Sequence, residues 1–173
     1  MIYIIGVSHD MQIKGYKDIL VDDKKAIIFE NYVNHITDMY NINIIIEEGC
    51  KGYTEKHGTS FTTCELIAKK LKIKHIFCDL NTKERKEKGI CFSLYEKLVD
   101  LQLGIINEEE YKNYEYKHFD IRENEWMKVI RENHINDTSM LFVCGNNHIS
   151  TMANRLNNES LPYTILKQLE ITA

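Results

Sequence analysis

Four short runs constrain this chain more than anything else in it: Ile2 to Val7, Ile42 to Ile46, Lys74 to Cys78 and Ser139 to Cys144. Each has the length of a strand. The first is continuously apolar, and the second is β-branched throughout except at Asn43. Unbroken apolar runs of this length describe strands covered on both faces, because a half-exposed strand would alternate apolar and polar residues. Between the first two runs, Ala26, Ile27, Phe29, Val33, Ile36 and Met39 or Tyr40 recur at three and four, the spacing of an amphipathic helix. A strand, a helix and a strand within the first 46 residues make a parallel unit with a right-handed crossover. Repetition of that unit predicts an α/β fold with an open, mostly parallel sheet and helices on both faces. A last strand is expected at Tyr163 to Leu166, where the preceding Pro162 suits an edge position.

The middle third breaks the alternation. Thr82 to Lys88 reads as a charged helical turn, Phe92 to Leu103 as a helix, and Glu108 to Asn113 as a short helix capped by Asn107. Tyr111, Tyr114, Tyr116 and Phe119 form an aromatic cluster in a charged segment, with His118 in a loop among them. A further helix is expected from Asp120 or Asn124 to about Asn133. The segment of residues 82–118 is thus a helical insertion in a single domain of 173 residues, a length that one core can fill.

Composition narrows the function classes. A formal net charge of −4 gives no electrostatic reason to expect nucleic acid. Five widely spaced cysteines without a CxxC pair argue against a disulfide framework or a structural zinc cluster. No apolar stretch approaches a membrane span, and Ile2 to Val7 is too short for a secretory leader, so a cytoplasmic protein without a membrane partner is expected.

The strand exits carry the chemistry. Gly6-Val7-Ser8-His9 follows the first run and Gly145-Asn146-Asn147-His148 follows the fourth, while Glu47-Glu48 and Asp79 end the second and third. Open parallel sheets bind ligands at the carboxyl ends of their strands, so the fold gathers His9, Glu47, Glu48, Asp79 and His148 along one edge. Two imidazoles and one or more carboxylates around a cleft have the composition of a catalytic metal site with open positions for water. A lone Gly6, with no glycine-rich continuation, speaks against a phosphate or dinucleotide loop.

The arrangement resembles the TraB/Tiki families and their distant erythromycin esterase-like relatives, whose signature is two Gly-x-x-His motifs with a glutamate and an arginine between them. Gly6 to His9 and Gly145 to His148 stand as the two motifs, Glu47 as the glutamate with Glu48 as its competitor, and Ile121-Arg122-Glu123-Asn124-Glu125-Trp126 as the arginine helix. The resemblance implies a metal-dependent hydrolase, peptidase-like or esterase-like, acting on a peptide or small-molecule substrate. It implies a divalent metal (manganese, cobalt or zinc) on His9 and His148, with Glu47 as ligand or general base and Asp79 as a further ligand. Glu48 is the other candidate for the catalytic carboxylate. Arg122 would stabilise an oxyanion or a substrate carboxylate, and His57 is the other histidine within reach in sequence. Two departures stand out. Asp79 is followed by Leu80 where the family tends to have arginine, leaving that charge to Arg85 or to nothing, and Glu123 separates Arg122 from Asn124. The rival expectation is a non-catalytic binding module for a peptide or small anionic ligand on the same fold, and a homo-oligomer is compatible with either.

Overall fold

The computed structural model describes residues 1–12, 23–50, 61–135 and 137–169, without the side chains of residues 9, 10, 23 and 167–169. Five strands, β1 (Ile2–Val7), β2 (Ile44–Glu47), β3 (Lys74–Phe77), β4 (Met140–Gly145) and β5 (Tyr163–Leu169), form one sheet in the order β3-β2-β4-β1-β5. Every neighbouring pair is parallel. The fold is α/β, and the last strand lies at an edge as Pro162 suggested.

The sheet carries two apolar layers, and residue parity along the strands assigns each side chain to one of them. Ile5, Val7, Ile45, Leu141 and Val143 face one layer, with Phe29 and Val33 of helix α2 (Asp23–Met39) and Cys64 and Ile67 of α3 (Thr63–Leu71). Ile2, Ile4, Ile46, Phe142 and Cys144 face the other. There they meet Trp126, Met127 and Ile130 of a long helix and Met152 and Leu156 of the last one. Helix α1 (His9–Gln12) is the single turn that leaves β1. The continuous apolar runs are the sequence record of this two-sided burial.

The middle third departs from expectation at one point. Helix α4 (Thr82–Glu87) and α5 (Leu94–Gln102) occur as predicted, each with a complete capping box, from Asn81 with Glu84 and from Ser93 with Glu96. The expected break between a short helix and the arginine helix is absent. One helix, α6, runs from Glu108 to Asn133, so His118 lies within a helix, not in a loop. No glycine or proline occurs between residues 108 and 133, and without a breaker the chain continues at its helical register even where its apolar stripe is thin. Helix α7 (Ile149–Asn158) follows a 3-10 turn, Asn146–His148, at the end of β4. No side-chain hydrogen bond caps either of those two elements. No described helix is long and apolar enough to cross a membrane.

Gly6 has a packing role. A Cβ there would lie 2.1 Å from Ile149 Cδ1 and 2.5 Å from Asn146 Oδ1. The bare backbone lets the start of α7 press against β1, which brings the two Gly-x-x-His segments together.

Candidate functional site

Strands β1 and β4 are adjacent, with Val7 opposite Gly145. His9 and His148 therefore leave neighbouring strands at the same sheet edge, although 139 positions separate them in sequence. The His9 side chain lies outside the described residues, as does all of His57.

Glu47 and Glu48 point to opposite faces, as consecutive residues at a strand end must. Glu47 belongs to the α3 side. Its Oε2 accepts from Thr62 Oγ1 at 2.6 Å and lies 2.9 Å from His75 Nε2. The structure does not bring it to the other expected site residues. Glu48 belongs to the α6 side, where Oε1 accepts from Arg122 Nη2 and Oε2 accepts from the Gly145 amide at 2.6 Å. Of the two glutamates, Glu48 is the one placed with Arg122, Asp79 and His148.

Arg122 is the hub of this cluster. Its Nη2 donates to Asp79 Oδ2 at 2.5 Å as well as to Glu48, and its Nε lies 3.1 Å from each Asp79 oxygen. Nη1 makes no hydrogen bond among the described residues. Arg85 Nη2 donates to Asp79 Oδ2 at 2.7 Å, so Arg85 supplies the charge that an Asp-Arg dipeptide would have carried. Burial pushes the Asp79 carboxyl up, but Arg122, Arg85 and the Leu80 amide outweigh it and hold the group below the ordinary carboxylate range. Burial opposes the charge on Arg122 as well, and Glu48 and Asp79 reverse that effect, keeping the guanidinium protonated. The guanidinium also lies 5.0 Å from the Trp126 ring centroid.

His148 is fixed by Glu123, the residue that interrupts the arginine motif. Its Nδ1 is 2.7 Å from Glu123 Oε1. Thr151 Oγ1 donates to the same oxygen at 2.6 Å, and Arg155 Nε donates to Glu123 Oε2 at 2.9 Å. Burial raises the Glu123 carboxyl, and His148, Thr151 and Arg155 together bring it below its ordinary value. An ionised Glu123 favours the tautomer with the proton on Nδ1 and leaves Nε2 as the basic nitrogen. Nε2 lies 3.9 Å from Glu48 Oε1. Phe119 and Trp126 hold the ring edgewise, at centroid distances of 4.5 and 4.7 Å. The local signal for Glu123 was its place next to Arg122: one position further round a helix turns it from the Asp79 side toward His148 and α7.

Two cavities meet at this cluster. One, of about 390 Å³, is lined by Ser8, Phe119, Asn146 and His148, among others. The second, about 410 Å³, is lined by Asp79, Arg85, Tyr95 and His118, among others. Glu48, Leu94 and Arg122 belong to both walls.

The described donors do not fit the expected divalent metal. Both Asp79 oxygens are held by arginine, Glu48 is held by Arg122 and the Gly145 amide, and Glu47 faces the other layer. A cation bound by Glu48 or Asp79 would compete with the guanidinium already on each. Among the described residues no group of three or more His, Cys, Asp or Glu side chains is placed to hold a metal ion. Comparison of the chain with protein-family models, curated proteins and solved structures found no match.

Proposed function

We propose that this chain is a hydrolase of ester or amide bonds in which His148 acts as general base on water. The observation that carries the reading is the Glu123–His148 pair at 2.7 Å, set at the carboxyl edge of a parallel sheet in a cavity wall shared with Arg122. A carboxylate on Nδ1 orients the imidazole and stabilises it once Nε2 has taken a proton. Arg122 Nη1, with its two N–H groups uncommitted among the described residues, is the donor for the oxyanion that forms when water adds to a carbonyl. Glu48 and Asp79 hold the guanidinium in place, and Glu48 adds negative potential beside the imidazolium. His148 then returns its proton to the leaving group. The order of the Gly-x-x-His pair and the intervening arginine, as in TraB/Tiki sequences, supports the same reaction class. The pairing of Arg122 and Arg85 with Glu48 and Asp79 weighs against a module for small anions, because the positive charge is already matched.

The test is turnover of a panel of 4-nitrophenyl esters and aminoacyl 4-nitroanilides, with and without chelator. The expected result is chelator-resistant hydrolysis that falls at least about 100-fold in His148→Gln and about 10- to 100-fold in Glu123→Gln, the range of general-base contributions. Undiminished turnover in His148→Gln would refute the assignment. Activity abolished by chelator and restored by manganese, cobalt or zinc would return the metal to the mechanism.

A further inference from the structure

His118 belongs to no motif and to no part of the reaction above, yet it occupies a position that a structural histidine does not need. It is 3% exposed, and neither Nδ1 nor Nε2 has a hydrogen-bond partner among the described residues. A buried polar group left without a partner costs about 1–3 kcal/mol, and such groups are few in native proteins. An apolar residue in the same place would avoid that cost. His118 also forms part of the wall of the 410 Å³ cavity, one helical turn before Arg122.

The rest of that wall defines what it can take. Glu48, Asp79, Arg85 and Ser93 all hold hydrogen bonds within the protein. The two carboxylates and the two guanidiniums cancel. Leu94 and Tyr95 supply apolar surface. Burial, with Arg122, Arg85 and His148 around the ring and Asp79 opposing them, lowers the His118 pKa to about 4. A neutral imidazole offers one donor and one acceptor, which matches a hydroxyl or a carboxamide and suits neither a carboxylate nor an ammonium ion.

We infer that the cavity beside the reaction centre is a substrate subsite in which His118 binds an uncharged hydroxyl or carboxamide group. The inference rests on the hydrolase reading for the word substrate, but the subsite stands on its own geometry. The two cavities share Glu48, Leu94 and Arg122, so a substrate with its scissile bond near His148 extends past Arg122 and places its neutral polar end on His118. Leu94 and Tyr95 pack against the intervening carbon skeleton. Helix α6 separates the roles by its own geometry: positions 118 and 122 lie on one stripe and serve this cavity, while Phe119, Glu123 and Trp126 lie on the next and hold His148.

Binding can be read without turnover. Protein carrying 15N-labelled histidine is titrated with benzamide and benzyl alcohol as neutral probes, and with benzoate and benzylammonium as charged ones, following the imidazole nitrogens by NMR. The His118 signals are assigned by their loss in His118→Gln. Both neutral probes should move the His118 signals, and each charged probe should bind at least about tenfold more weakly, the equivalent of one neutral hydrogen bond. Glutamine also presents a donor and an acceptor, so His118→Gln should keep benzamide affinity within about threefold while His118→Leu loses about tenfold. His118 signals unmoved by saturating benzamide, wild-type affinity in His118→Leu, or preference for a charged probe would each overturn the subsite. If His118→Leu does not fold, the wild-type shifts and the charged-probe comparison decide. The same titration of His148→Gln separates the two readings. Inactive wild type with benzamide bound at His118 defeats the hydrolase alone, and turnover without a His118 shift defeats the subsite alone.

Discussion

Replacing Arg122 by methionine should destabilise the protein in a pH-dependent way that no loss of packing would mimic. The side chains of Glu48 and Asp79 are each 3% exposed and share this one guanidinium. Removing one partner from a buried ion pair costs about 3–5 kcal/mol, because the remaining charge stays desolvated. Here the cost falls at the lower end, about 3 kcal/mol at pH 7.5, since Asp79 keeps Arg85 and the Leu80 amide and Glu48 keeps the Gly145 amide. In the wild type the Asp79 pKa lies below its ordinary value because Arg122 and Arg85 outweigh burial. Its stabilisation is therefore complete above the unfolded value near 4 and is lost only below that. In Arg122→Met the upward push of burial on the Asp79 carboxyl loses its largest opponent, with Arg85 and the Leu80 amide remaining. An acid whose folded pKa is raised is destabilising above that pKa, and the penalty vanishes as pH falls to the unfolded value. The stability gap between wild type and variant should thus shrink from about 3 kcal/mol at pH 7.5 to about 1 kcal/mol at pH 5. Urea unfolding at pH 5, 6 and 7.5 measures it, and Glu48→Gln in the Arg122→Met background should recover about 1–2 kcal/mol at pH 7.5. A gap constant across the three pH values, or no recovery in the double variant, would show that the carboxylates are not held in a desolvated site.

Three further predictions address separate elements. His118 has a lowered folded pKa, so the wild type loses stability as pH falls from about 6.5 to about 4; His118→Leu removes this component and should gain about 1–2 kcal/mol relative to wild type on going from pH 7.5 to pH 5 in denaturant titrations. Gly6→Ala forces a methyl group against Ile149 and Asn146 and should cost about 2 kcal/mol, seen as a Tm lowered by about 4–8 °C; an unchanged Tm would mean that the contact relaxes freely. Glu47→Gln loses a charge-assisted bond to Thr62 and the pairing with His75, so it should lower stability by about 1–2 kcal/mol while leaving ester turnover within about twofold, whereas Glu48→Gln should reduce turnover at least about tenfold.

The sheet was legible in the sequence because burial on both faces writes a continuous apolar run, and few other structures do. The strand exits were legible for the same reason: the residue that ends such a run reaches the sheet edge whatever the helices do. Asp79 emerged on those grounds and Arg122 from the resemblance of its helix to the TraB/Tiki arginine motif, and the two meet in the structure. The long helix departs from expectation at its middle. The expected break at residues 113–120 came from a thin apolar stripe, yet helix continuity is decided by the absence of glycine and proline as much as by amphipathicity. A break there would leave His118 in a loop, whereas the continuous helix sets it one turn before Arg122 in the cavity wall.

The choice between Glu47 and Glu48 shows where local pattern stops and topology begins. Period-two alternation already required the two carboxylates to face opposite layers, with Glu48 sharing the side of Ile44 and Ile46. What the sequence left open was which layer carries the arginine helix. That follows from the strand order and the handedness of the crossovers together. From β1 to β2 to β3 the chain moves toward one edge of the sheet, and from β3 to β4 to β5 it moves back toward the other. Right-handed connections running in opposite directions must lie on opposite faces, so α2 and α3 cover one layer while α6 and α7 cover the other. Arg122 and His148 therefore arrive on a common face, and only the even-numbered glutamate at the end of β2 can reach them. The same rule explains Glu123: once α6 and α7 share a layer, the residue after Arg122 faces the helix that His148 begins. The acid that interrupted a motif in one dimension becomes the hydrogen-bond partner of its histidine in three.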